Sequence, residues 1–224
     1  MSIAHDANTR FPTTENTEDV TTGDRTFTHT PVGIPAAIVV AICGKSTTLS
    51  VTGILYGGVA MTSIVSATDT SEAGRCDIYA LVESDIPTGA QTVTLQGCTA
   101  TSKFCTCNSV TASRNAKVNV SGAVNTTTSA DPQVSLVTTE ESVCYGALHT
   151  GNTSPSAVPL TGVALQNNRD YGNLAAQTIR RTSTEVAGTR AVGVTLVSDD
   201  WCAVAVAIQE YGPSTITMPR YRYN

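Results

Sequence analysis

The sequence predicts an all-β protein, a jelly-roll-like β-sandwich with extended N- and C-terminal arms, and three observations carry that prediction. First, only 14% of the 224 residues are charged, well under the usual quarter or so, while Thr, Ser, Val, Ala and Gly abound, a composition of strands and turns. Second, many short alternating segments are separated by turn residues, with no strong amphipathic helix and no internal repeat that aligns. Third, Asp199 to Glu210 reads Asp-Asp-Trp-Cys-Ala-Val-Ala-Val-Ala-Ile-Gln-Glu and holds the only Trp of the chain. Both alternating faces of Cys202 to Ile208 are apolar, as in a strand covered on two sides, and Gly212-Pro213 ends the run. Such a strand needs neighbours on both edges and a layer over each face. A closed barrel is the second architecture that this spacing allows.

Residues 1–24 are polar, with Ile3 and Phe11 the large apolar exceptions, and by themselves bury too little to offset their ordering entropy; they are read as an arm. The sandwich is placed over residues 25–212. Thr26 to Thr30 alternates around Phe27, and Ile34 to Cys43 is continuously apolar, which makes the first two strands. Gly57-Gly58 between apolar runs signals a hairpin. Ser63 to Ala67 continues the sheet. Arg75 to Glu83 alternates, with Cys76, Ile78, Ala80 and Val82 on one face of a half-buried strand. Val93 and Leu95 point inward from Gln91 to Gln96. Lys103 to Thr111 and Ala116 to Ser121 carry further alternation, and Asn125 to Asp131 reads as a loop.

Gln133 to Val137 and Ser142 to His149 are expected to pair across a turn at Glu140-Glu141. Leu160 to Arg169 is ambiguous. Asn173 to Arg181 has helical propensity, but its flanks and context favour a strand. Arg190 to Val197 and the Trp201 strand are read as a final hairpin. Residues 213–224, ending Met-Pro-Arg-Tyr-Arg-Tyr-Asn, have no periodicity and are read as an extended arm.

A net charge of −5 and a pI near 5.1 give no basic face for general nucleic-acid binding. The longest apolar run, Pro31 to Cys43, falls short of the ~20 residues of a membrane-spanning helix. Met1 to Asp6 has neither the basic start nor the apolar stretch of a secretory leader, so synthesis in the cytosol is expected. The seven Cys are too few and too irregular for a disulfide scaffold and read as reduced, buried thiols. The glycosylation sequons at Asn119, Asn125 and Asn152 read as chance.

No catalytic, metal or cofactor constellation stands out. His5, His29 and His149 sit in no triad or metal spacing. Cys98, Cys105 and Cys107 form C-x6-C-x-C, without the C-x2-C pairing of structural zinc sites. Asp69, Asp77, Asp85, Asp199 and Asp200 match no calcium loop, and turn chemistry explains them. Nucleophile elbow, P-loop and H-E-x-x-H motifs are missing. Trp201 reads as core rather than a sugar-stacking platform. The pairing of Arg and Tyr in Arg220, Tyr221, Arg222 and Tyr223 suits either a protein interface or a solvated end.

Three segments, Thr26-Phe-Thr-His-Thr-Pro with the strand after it, Leu55-Tyr-Gly-Gly-Val-Ala-Met-Thr with Ile86-Pro-Thr-Gly-Ala-Gln-Thr-Val, and Trp201-Cys-Ala-Val-Ala-Val, resemble β-sandwich proteins of tailed-bacteriophage structural gene clusters. The resemblance spans roughly residues 25–210 and rests on turn and core residues; the many Cys and both arms depart from it. It implies a virion protein without enzymatic activity or cofactor, most simply a capsid decoration or cement protein that binds and stabilises the major capsid protein lattice as a homo-oligomer. The implied partners are the major capsid protein or other virion proteins, with neither nucleic acid nor membrane. Polar arms of this kind gain order on a neighbour, which makes Phe11, Met218, Arg220, Tyr221, Arg222 and Tyr223 the expected partner-binding residues. The alternative is a receptor- or carbohydrate-binding module of a tail or fibre.

Overall fold

The computed structural model describes residues 3–14, 17–48, 51–71, 73–82, 86–99, 101–113, 115–129, 131–151, 158–170, 175–184, 186–195 and 199–211. These form strands and no helix. In chain order they are β1 (Ala4–Phe11), β2 (Gly23–His29), β3 (Ala37–Gly44), β4 (Gly53–Tyr56), β5 (Val59–Ala60), β6 (Thr62–Asp69), β7 (Gly74–Leu81), β8 (Gln91–Cys98) and β9 (Lys103–Thr111). There follow β10 (Asn115–Ser129), β11 (Gln133–Thr138), β12 (Ser142–Thr150), β13 (Val158–Pro159), β14 (Val163–Asp170), β15 (Ala175–Arg181), β16 (Gly188–Thr195) and β17 (Asp199–Tyr211).

The strands make four antiparallel sheets, ordered β2-β8-β4-β5, β1-β9-β3-β7-β6, β10-β17-β12-β15-β14 and β11-β16-β13. Side-chain alternation shows how they stack. Val39, Ala41 and Cys43 of β3 meet Val204, Val206 and Ile208 of β17 in one core, which joins the two five-stranded sheets. Ile38, Val40 and Ile42 point the other way and pack with Ile54, Val93 and Leu95 of the four-stranded sheet. Ala203, Ala205 and Ala207 pack with Val134, Leu136, Val192 and Val194 of the three-stranded sheet. The result is four layers with the five-stranded sheets inside, each covered on both faces, as the Cys202 to Ile208 pattern demands.

Residues up to Thr111 build the first two sheets, and those from Asn115 build the other two. Counting the short β4 and β5 as one strand, both halves share one order. The large sheet runs first, eighth, third, sixth, fifth, and the small sheet second, seventh, fourth. The chain therefore repeats its topology although no repeat aligns in its sequence.

Several local expectations hold. Gly57 and Gly58, at φ 55° and 85°, turn the β4–β5 hairpin, and 175–181 is a strand. Others are corrected. Asn125–Ser129 is no loop but the end of β10, in register with Cys202, Trp201 and Asp199 of β17. β7 is covered on both faces, with Tyr79 and Leu81 buried opposite Cys76 and Ile78. β11 and β12 do not pair, and neither do β16 and β17: β11 pairs with β16 in an outer layer, while β12 and β17 pair in an inner one. Each of these connections changes layer. The burial patterns explain why, since β11 alternates between buried and open positions whereas β12 is buried throughout.

The polar arm expected over residues 1–24 contains β1, which pairs with β9 from Ala4↔Thr111 to Phe11↔Cys105. Its ordering draws on main-chain pairing along the edge of an inner sheet and on burial of Ile3 and Phe11. Farther along, Asp19 bridges to Lys103. The C-terminal segment 213–224 lies outside the described residues.

Candidate functional site

Of the expected partner-binding residues, Phe11 is placed in the chain's own core: it is 9% exposed and stacks on Phe27 with ring centroids 5.1 Å apart. Main-chain pairing of β1 with the edge of β9 brings that ring onto Phe27 of β2. Met218, Arg220, Tyr221, Arg222 and Tyr223 lie outside the described residues.

Two surface features on β1 escape a reading of the sequence. The strand carries a bulge at Asp6, where the register slips between His5 and Ala7, a device that re-aims side chains. The Asp6 carboxylate accepts hydrogen bonds from the main-chain N–H groups of Val32 (2.9 Å) and Gly33 (3.0 Å) and from the Ser109 hydroxyl (2.8 Å). Pro31 and Pro35 on either side are buried. The loop between them is thereby held at both ends and at its tip, yet Val32 is 86% and Ile34 80% exposed. Nothing local to Pro31-Val-Gly announces a carboxylate 26 residues away.

The second feature is a cleft of about 340 Å³ between the start of β1, β12 and the end of β15, lined among others by His5, Arg180, Arg181, Thr182 and Thr184. His5 Nδ1 lies 2.9 Å from the hydroxyl of Tyr145, whose ring is fully buried in the central core. Burial, with the Arg180 guanidinium beside it, lowers the His5 pKa to about 4; Asp6 opposes the shift. Burial pushes the Tyr145 hydroxyl far above its ordinary range, so it stays protonated.

The remaining polar groups hold the layers together. Lys103, entirely buried, donates to the carbonyls of Asp19, Thr21 and Thr99 at 3.0–3.1 Å and lies 3.9 Å from the Asp19 carboxylate. That carboxylate also accepts from the Arg25 guanidinium at 2.8 Å and from Thr21. Although burial pushes the other way, the bonds from Thr21 and Arg25, with Lys103 nearby, hold its pKa below the usual value. Asp77 is raised by its burial against the opposing pull of Arg75, with which it forms a bidentate pair. Gln166 donates to Asn108 at 2.6 Å and Asn167 to the Cys105 carbonyl at 3.3 Å, which ties β14 to β9 across the central layers.

His29 is bound to Thr9 at 2.9 Å, and His149 lies inside the body with neither ring nitrogen hydrogen-bonded among the described residues. All seven Cys are buried and none is in a disulfide. Cys43, Cys76 and Cys202 form a line with Sγ separations of 3.6 and 4.0 Å, and burial drives the Cys76 thiol strongly upward. Among the described residues no group of His, Cys, Asp and Glu is arranged to hold a metal ion. Trp201 is 3% exposed and packs as core. No helix of the described residues is long and apolar enough to cross a membrane.

Comparison with known protein families, with curated proteins and with solved structures finds no match.

Proposed function

We propose that this chain is a virion structural protein, a capsid decoration or cement subunit that binds the major capsid protein lattice and acts as a homo-oligomer. The observation that carries the reading is the loop pinned by Asp6, which holds Val32 and Ile34 out into solvent between two buried prolines. A rigid apolar projection loses little conformational freedom on docking, so more of its burial is realised as affinity. Two further features support the reading. One is the sequence resemblance to phage structural proteins. The other is the strand order of each half, which reads as a jelly roll, a fold of viral capsid proteins and also of lectins; fold alone does not choose between them. In this proposal the segment 213–224, with Met218 and Tyr221, provides a second contact.

The test is mass spectrometry of purified virus particles, counting this chain against the major capsid protein. Copies in the hundreds are expected for a lattice-binding subunit. A few to a few dozen copies would replace that reading with the tail or fibre receptor-binding module, and absence from the particle would end both.

A further inference from the structure

We infer that the cleft over Tyr145 is a binding site for a carboxylate, held between the Arg180 guanidinium and His5 Nε2. Arg180 makes one side-chain hydrogen bond, from Nη1 to the Arg181 carbonyl at 3.0 Å, and among the described residues no carboxylate pairs with it. An arginine half-withdrawn from water normally finds an acidic partner, and this one borders a cleft of about 340 Å³ whose lining, among the described residues, includes no Asp or Glu.

The tautomer of His5 follows from Tyr145. The buried hydroxyl is protonated and has no other acceptor among the described residues, so its proton goes to His5 Nδ1 at 2.9 Å. The neutral imidazole then carries its own proton on Nε2, which has no hydrogen-bond partner among the described residues and is not shut off from solvent. The charged or titratable groups acting on His5 are Arg180, Asp6 and His29. Of these, Asp6 is engaged by the 31–35 loop and Ser109, and His29 by Thr9.

The site thus offers one full positive charge in a planar fork and one neutral N–H. That set matches a monoanionic, planar carboxylate better than a dianionic phosphate. The hydroxyls of Thr182 and Thr184 are already spent on the Gly162 and Ile3 carbonyls, so recognition falls to Arg180 and His5. The carboxylate has two possible sources, a small free acid or the C-terminus of a peptide chain.

The test follows the His5 Cε1–H signal by NMR in the full-length protein at constant ionic strength. It is titrated with acetate, triglycine, triglycine amide and inorganic phosphate. Acetate or triglycine should shift the signal saturably and raise the His5 titration midpoint, because a bound anion favours the imidazolium. Triglycine amide should not. Arg180→Gln should weaken the effect at least tenfold while leaving the melting temperature unchanged, and Arg180→Lys should restore part of it. Tighter binding of triglycine than of acetate would identify a peptide terminus; the reverse would identify a small acid. No saturable shift, a shift that survives Arg180→Gln, or a preference for phosphate would overturn the assignment.

Discussion

His149 illustrates how a single residue constrains this molecule. It is fully buried, and a Cβ built on Gly74 would lie 1.9 Å from its Nδ1, so the ring occupies the space that any side chain at position 74 would need. Gly74→Ala is expected to cost at least ~2 kcal/mol in chemical denaturation, within or beyond the usual range for overpacking. A variant within ~0.5 kcal/mol of the parent, the scale of an unconstrained surface change, would show that the ring has room to move. Burial also lowers the His149 pKa from 6.5 to about 4, helped by Lys45, and burial does the same for His29. Between those values the unfolded chain binds more protons than the folded one. Stability is therefore full above pH 6.5 and is lost as pH falls toward 4. The slope approaches ~1.4 kcal/mol per pH unit for each ring. Urea midpoints should be level from pH 8 to 7 and fall steadily below 6.5; a level profile down to pH 5 would contradict neutral burial.

At the scale of elements, β1 is the segment whose role changes most between sequence and structure. Read alone, the stretch from Ile3 through β1 is polar, with two large apolar residues, Ile3 and Phe11. In place, its main chain completes the β9 edge and carries Ile3 and Phe11 into two different cores. Removing residues 1–11 should therefore destabilise the fold by at least ~3 kcal/mol from those two side chains alone, and expose an unpaired edge prone to self-association. A truncated chain that stays monomeric and melts like the parent would restore the free-arm reading.

The strands themselves were legible because continuous apolarity, as in β3, β12 and β17, marks the inner sheets, and alternation, as in β8 and β11, marks the outer ones. Beyond the β4–β5 hairpin, pairing was not legible, since adjacent segments such as β11 and β12 fall in different layers. β14 stayed ambiguous because Gln166 and Asn167 are buried amides that break its pattern and whose NH2 groups find their acceptors on β9. The candidate sites were hidden for the same reason. His5 gains meaning from Tyr145, 140 positions away, and Asp6 from the loop at Val32.

For the whole molecule, the repeated strand order places two eight-stranded units, with β4 and β5 taken together, back to back so that they share the central core. No residue-level repeat is needed to maintain this. The inner positions demand only continuous apolarity, which Val, Ala, Cys and Ile supply interchangeably. The shared core also explains why so few charges suffice: both large sheets are withdrawn from water, and several of their polar side chains pair with one another, as Gln166 does with Asn108 and Arg75 with Asp77. The central claim is that these two sheets are covered on both faces, and β17 tests it most directly. Val206 faces the sheet that contains β3, Ala205 faces the one that contains β11, and both are 0% exposed. The measurement is thermal unfolding, followed by far-UV circular dichroism, of Val206→Asp and Ala205→Asp. Each buries an unpaired carboxylate at a cost of several kcal/mol, so four stacked layers predict that both variants lose the cooperative transition. Normal melting of Ala205→Asp beside an unfolded Val206→Asp would take the β11 sheet off this face, reduce the four layers to three and contradict the account.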